Sequence, residues 1–311
     1  MPPYFSIITP TYNRGPLLAR AIESVLQQSF LDFELIIVDD ASTDQTPQII
    51  SSYSDSRIKY IRNNKNLERG ASRNIGIEKA SGRFICFLDS DDRYEKHHLE
   101  GFWDEIEKLE FEKGLLFCNA FNEFENGERE RRVVPPLKGN IFAYILRYTF
   151  NPTRVCVHNE ILQELKFDPS IPGLEDLDLW LRIATKYPVY QVFNYSVVYF
   201  LHKDSYSDGD AERFKKELSN FTFIFNKPEL KEVLPANEKR RLLSMCYFHL
   251  SLKYDAEGKK RELFNALFNS FFLYPQGYNG RTNKILLVKF LYNLPLGGPV
   301  FKALVKLVKQ K

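Results

Sequence analysis

Three carboxylates, Asp89, Asp91 and Asp92, fall within four positions directly after the apolar run Phe84-Ile85-Cys86-Phe87-Leu88. Five apolar residues rich in β-formers predict a buried strand, and acids are where such a strand should stop. In an open α/β sheet, ligands bind beyond the carboxyl ends of the strands, so these acids would stand at the mouth of a site. Clustered carboxylates raise each other's pKa unless a cation is shared among them. Oxygen ligands with open positions suit Mg²⁺ or Mn²⁺, which bind through one or two carboxylates together with substrate phosphates. Taken alone, the same residues also fit a solvated loop, or a cap made by Ser90, Asp91 or Asp92 on the segment near Tyr94.

Acids recur at two other places where chemistry could be done. Asp39 and Asp40 follow the apolar run Phe33–Val38, and Glu175, Asp176 and Asp178 crowd the start of a segment in which Leu174, Leu177, Leu181 and Ala184 trace one helical face. In the second case the plain structural account is that acids in a first turn complement the helix dipole.

The elements that would position these acids alternate. Tyr4–Thr9 reads as a first strand ended by Pro10 and the turn residues Tyr12–Pro16, and Leu17, Leu18, Ala21, Ile22, Val25 and Leu26 form one face of a helix starting near Pro16. The second strand, Phe33–Val38, is followed by Ser42-Thr43-Asp44, cap residues for a helix to about Tyr53. Ile58–Ile61, a helix over 71–80 and the Phe84 strand complete the first half. Strand and helix in alternation predict a parallel sheet with helices on both faces. Farther on come a helix over 99–109, a strand over 114–121, an exposed charged loop over 122–139, an extended piece at 155–157 and a β-like stretch over 190–201. After about Glu212 the pattern is helical: 214–225, 237–254 and 259–273. No Gly-x-Gly-x-x-Gly follows the first strand and no Gly-Lys-Ser/Thr occurs, which argues against dinucleotide and P-loop chemistry.

The chain has 311 residues, enough for two domains or for one large domain with an appendage. Its apolar share of 44% and charged share of 27% are those of an ordinary globular protein, and a net charge of +3 gives no reason to expect nucleic acid as a partner. The four cysteines are scattered, without Cys-x-x-Cys spacing, and read as reduced core thiols of a cytosolic protein. Neither a signal peptide nor a bilayer-length apolar run is visible, so the expected place is the cytoplasm. At the end, Val300, Phe301, Leu304, Val305 and Val308 make an apolar stripe beside Lys302, Lys306, Lys309 and Lys311. Such a helix could lie on the anionic inner face of the cell membrane, or pack on its own domain.

In order along the chain, Ile7-Ile-Thr-Pro-Thr-Tyr-Asn-Arg14, Ile36-Ile-Val-Asp-Asp-Ala-Ser-Thr-Asp44, Gly70-Ala-Ser-Arg-Asn74, the segment from Gly82 to Asp92, and Glu175-Asp176 resemble an inverting family-two glycosyltransferase of the A-type fold. The resemblance is dense over residues 4–95, thinner to about 207 and absent from the last hundred. It implies a Rossmann-like α/β nucleotide-diphospho-sugar transferase fold over 1–210, with a nucleotide half (1–112) and an acceptor half (113–210), followed by a mostly helical region (211–311) for membrane contact or oligomerisation. It also implies roles. Thr9, Pro10 and Tyr12 would line the uracil of a UDP-sugar, and Asp40 would accept its N–H. Arg73 would stand near the nucleotide, and Asp89 would hold a ribose hydroxyl or Arg73. Asp91 and Asp92 would bind Mn²⁺ or Mg²⁺, and His202, with Ser205 and Ser207, could reach the diphosphate or the metal. Asp176 would be the general base, Glu175 would contact acceptor or sugar, and Trp180 is expected in the core. The activity implied is transfer of a sugar to a glycan or lipid-linked acceptor in cell-surface polysaccharide synthesis. The alternative is a non-catalytic nucleotide-sugar-binding subunit.

Overall fold

The computed structural model of the chain describes residues 2–110, 113–202 and 210–275. They divide into two compact units between Ser205 and Tyr206.

In the first unit the opening run is β1 (Phe5–Thr11), α1 (Gly15–Leu26), β2 (Phe33–Asp39), α2 (Thr46–Ser51), β3 (Ile58–Arg62), α3 (Glu68–Lys79) and β4 (Phe84–Phe87). Every residue of β1, β2 and β4 is buried. That is why these strands are largely apolar without strict alternation: both faces are covered, and the polar members Ser6 and Glu34 are hydrogen-bonded to each other. The helix α3 lies hard against the sheet, since a Cβ at Gly76 would collide with the side chain of Ile8. This close approach carries Arg73, one turn earlier on α3, in over the strand ends.

The second run is β5 (Arg93–Tyr94), α4 (His98–Lys108), β6 (Leu115–Phe124), β7 (Arg129–Arg132), α5 (Ile141–Arg147), a 3₁₀ turn (Pro152–Arg154), β8 (Val155–His158), α6 (Asn159–Glu164), α7 (Glu175–Ala184) and β9 (Val189–Leu201). Among the described residues the strands form one nine-stranded sheet, ordered β3-β2-β1-β4-β8-β6-β9-β5 with β7 paired to β6. The expected α/β fold with a helical C-terminal region is therefore present, but the sheet is mixed. The pairs among β3, β2, β1 and β4 are parallel, whereas β8 runs antiparallel to both β4 and β6. The β6–β7 hairpin has already reversed the chain, and the connection through α5 brings β8 in along the same direction as β7, so β8 opposes β6 and β4.

The expected loop over 122–139 also needs correction. β6 continues to Phe124, turns through Asn126-Gly127 with Gly127 at φ +83°, and returns as β7. A glycine in the left-handed region is what a tight hairpin demands, and the charged side chains of β7 are exposed because it sits at an edge.

The core joins the inward residues of β1, β2, β4, β6 and β9 to Leu18, Ile22 and Val25 of α1 and Leu99, Phe102 and Ile106 of α4. Trp180 is fully enclosed beside Phe87, Phe150 and Phe167, and its indole N–H donates to the Phe150 carbonyl at 3.0 Å. It is a core residue, as expected. All four cysteines are free and buried.

The second unit contains α8 (Ala211–Phe225), α9 (Pro228–Lys231), α10 (Ala236–Ala256) and α11 (Lys260–Leu273). The Asp210 carboxylate caps α8 by accepting the Arg213 N–H at 2.9 Å. The hydroxyls of Ser244 and Ser270 each donate to the other residue's carbonyl at 2.8 Å, small residues that let α10 and α11 approach. Among the described residues no helix is long and apolar enough to cross a membrane. The basic stripe at 300–311, and Ser205 and Ser207, lie outside the described residues.

Candidate active site

At the end of β1, Thr9 and Pro10 are buried, with Thr9 only 1% exposed, while Tyr12 just beyond is 45% exposed. The loop that carries Tyr12 is tied to the loop after β2. Asn13, at φ +52°, donates its N–H to Ser42 Oγ at 2.9 Å and accepts the Thr43 N–H on Oδ1 at 2.8 Å. Asparagine is among the residues that adopt this backbone region at low cost.

The two acids after β2 have separate duties. Asp39 is fully buried and closes its own turn, accepting the Ser42 N–H at 2.8 Å and the Tyr60 hydroxyl at 2.8 Å. Asp40 is fixed by the Asn63 side-chain amide at 2.8 Å and the Leu67 N–H at 2.9 Å, both on Oδ1.

The three acids after β4 point in different directions. Asp89 accepts from Arg73 Nη2 at 2.6 Å. Asp91 approaches His202 Nε2 at 3.4 Å. Asp92 turns inward: Oδ2 accepts the Thr153 hydroxyl at 3.1 Å, and Oδ1 accepts the Phe200 N–H at 3.3 Å. Burial pushes the Asp92 carboxyl well above the usual carboxylate range, and the charges of Asp91 and Asp89 push it further.

Among the described residues no set of three or more His, Cys, Asp or Glu side chains converges closely enough to hold a metal ion. Asp91 and Asp92 are expected on the metal side, with His202 reaching the metal or the diphosphate; in this structure the Asp92 oxygens accept from the Thr153 hydroxyl and the Phe200 N–H. The remaining pair, Asp91 and His202, does converge. Two protein ligands with the rest supplied by phosphate suit a hard divalent ion, so the donor set fits Mg²⁺ or Mn²⁺.

The start of α7 lies across α3 from the acid cluster. Arg73 is 1% exposed, and while Nη2 reaches Asp89, Nη1 reaches Glu175 Oε1 at 3.1 Å. Glu175, 2% exposed, also accepts Arg69 Nε at 2.7 Å and, on Oε2, the Gly173 N–H at 2.7 Å. Both of its oxygens are engaged within the protein, by two arginines and a backbone amide. Asp176 is half-buried, with Oδ1 accepting the Leu177 N–H at 2.7 Å. Burial, then the neighbouring Glu175 charge, push its carboxyl up to about 6, against the opposing pull of Arg69 and Arg73. A carboxylate of that basicity, ionised at neutral pH yet able to hold a proton, is suited to general-base work.

Two residues of this constellation escaped sequence reasoning. Arg69 carried a usable signal, since it stands one helical turn from Arg73 on the same face of α3. Thr153 carried none. Its hydroxyl accepts the Asp89 N–H at 3.2 Å and donates to Asp92, a bridge made only by the fold.

The fold is that of the A-type glycosyltransferases. The TarS protein of Staphylococcus aureus (residues 1–349), solved in complex with UDP-GlcNAc, superposes with a TM-score of 0.62 over 89% of this chain and 82% of that one, at 23% identity. Residues 6–159 match the family model described as glycosyl transferase family 2. YwdF of Bacillus subtilis, an uncharacterized glycosyltransferase, is 30% identical over 253 residues, covering 73% of this chain and 91% of YwdF. TuaG of the same organism, a putative teichuronic acid biosynthesis glycosyltransferase, is 43% identical over 191 residues, 59% of this chain and 73% of TuaG. The chain spans 43% of the length of a matching Rickettsia felis glycosyltransferase. This chain belongs to glycosyltransferase family 2.

Proposed function

We propose that this chain transfers a sugar, with inversion, from a UDP-sugar to a glycan or lipid-linked acceptor during synthesis of a cell-surface polysaccharide. The observation that carries the reading is a carboxylate of raised pKa, Asp176, joined through Glu175 and Arg73 to the acids beyond β4 in a family-2 chain. The polysaccharide context is supported by the similarity to TuaG, and UDP by the complex of the structurally similar TarS. A cytoplasmic place, at the inner face of the membrane, belongs to the same reading.

Asp176 takes the proton of the acceptor hydroxyl as its oxygen attacks the anomeric carbon. The bond from that carbon to the diphosphate oxygen breaks on the opposite face, and UDP departs with the electron pair. Thr9, Pro10 and Tyr12 border the uracil and Asp40 accepts its N–H. Asp89 keeps Arg73 beside the nucleotide or turns to a ribose hydroxyl. Asp91 and His202, with Asp92 beside them, would hold a divalent cation, which when bound would stabilise the charge on the leaving diphosphate.

The test is calorimetric titration of the purified chain with UDP, with and without Mn²⁺, followed by a panel of UDP-sugars with acceptor glycans. Metal-strengthened UDP binding and transfer from one preferred sugar are expected; no binding of UDP in either condition sinks the uridine assignment. Asp91→Ala should weaken UDP binding in Mn²⁺ by at least the roughly 10- to 100-fold that even changes around a metal's ligands cost, and leave the metal-free affinity unchanged. Equal losses with and without Mn²⁺ would remove Asp91 from the metal. As to pH, the base works ionised and its folded pKa lies near 6, so kcat/KM should climb through that region and level off above it. A flat profile between pH 5 and 8 would assign the proton to another group.

A further inference from the structure

Four charged side chains form an unbroken path between the two ends of the site: Asp89, Arg73, Glu175 and Arg69. Its middle members are enclosed, with side-chain exposures of 2% for Arg73 and 3% for Glu175, while Arg69 at the outer end is 40% exposed. A buried carboxylate is tolerated only when paired and hydrogen-bonded, and Glu175 meets that demand through two guanidinium groups and the Gly173 N–H. Gly173 has φ +92°, a backbone region natural to glycine, and the Glu175 carboxylate grips its amide just before the first turn of α7. The side chain of residue 175 therefore fixes the backbone from which residue 176 projects.

We propose that Glu175 is a positioning residue, clamped by Arg69, Arg73 and the Gly173 amide so that it holds the first turn of α7 and aims the Asp176 carboxylate. The inference rests on the reading of Asp176 as base, and names the residues that make it one. Among the described residues, Glu175 on its own helix and Arg69 and Arg73 on α3 are the charged groups with the largest effect on Asp176, and the glutamate and the arginines act with opposite sign. Removing the Glu175 charge should lower the titration midpoint of Asp176, whereas removing the Arg69 charge should raise it.

The experiment reads that opposition directly. The full-length chain, labelled with ¹³C at the aspartate carboxyls, is titrated by NMR, and the Asp176 signal is assigned from its loss in Asp176→Asn. Wild type should titrate near pH 6, Glu175→Gln lower and Arg69→Met higher. In transfer assays Glu175→Gln should lower kcat on the order of 10- to 100-fold, as for a misaimed group, with the KM for donor within twofold. Midpoints that move together, or an unmoved Asp176 in both variants, overturn the proposal; so does a kcat for Glu175→Gln equal to wild type. If Glu175→Gln fails to fold, Arg69→Met, altered at the exposed end of the path, still decides by the direction of its shift. Absence of transfer by wild type with every UDP-sugar would strike the proposed function and leave the titration readable.

Discussion

Asp176→Asn should reduce sugar transfer by about 10³-fold, within the range that general bases contribute, while UDP affinity stays within twofold of wild type. The amide keeps the size of the side chain and can still accept the Leu177 N–H, but it cannot take a proton. The same variant should be more stable than wild type at alkaline pH. The sign follows from the pKa: the folded value is about 6 against an ordinary 3.8, so the folded state binds the Asp176 proton more tightly than the unfolded state does. Below about pH 4 both states are protonated and this group costs nothing. Between about pH 4 and pH 6 the unfolded carboxyl ionises while the folded one keeps its proton, so stability falls across that window and levels off above it, where the folded state holds an ionised, half-buried carboxylate beside Glu175. Thermal melts at pH 4 and pH 8 check it: the gain in Asp176→Asn should exist at pH 8 and vanish at pH 4. Transfer at a wild-type rate would end the base assignment.

Arg73→Met should strongly destabilise the first unit. It keeps an unbranched apolar stem but removes the guanidinium, which lies 5.4 Å from the Phe167 ring, and leaves Asp89 and one side of Glu175 uncompensated. Breaking one partner out of a buried pair costs about 3–5 kcal/mol. Urea unfolding followed by circular dichroism measures it. Arg69→Met supplies the control, since its pair is half in water and should cost about 1 kcal/mol or less. Equal midpoints for the two variants would mean that burial of the path contributes nothing.

Much of the molecule could be read from local pattern because local pattern is where its causes lie. The buried runs before Asp39 and Asp89 became β2 and β4, and the acids that end them stand at the strand ends. The stripe of Leu177 and Leu181 became the inner face of α7. What escaped depends on partners far away in sequence. The direction of β8 is set by which strands flank it, and four residues, Val155–His158, look the same either way. The inward turn of Asp92 needs Thr153 and Phe200, 61 and 108 positions distant. The clamp on Glu175 was hidden because its two arginines, over a hundred residues earlier, carry no mark of what they will meet. Spacing shows that an acid exists at a strand end or in a first turn, but only the tertiary fold decides which way it faces.

The cysteines have a consequence beyond packing. Cys86 and Cys156 face each other across β4 and β8, and Cys118 lies on β6, the next strand over, so three thiols mark the seam where the parallel part of the sheet meets the antiparallel part. Burial raises the Cys118 thiol to about 11 and pushes Cys156 upward as well, so the reactive thiolate is scarce even before access is considered. A reagent can reach them only when the seam parts. The chain thus carries its own clock for rupture of the sheet at its centre, legible in the rate at which these sulfurs become alkylated.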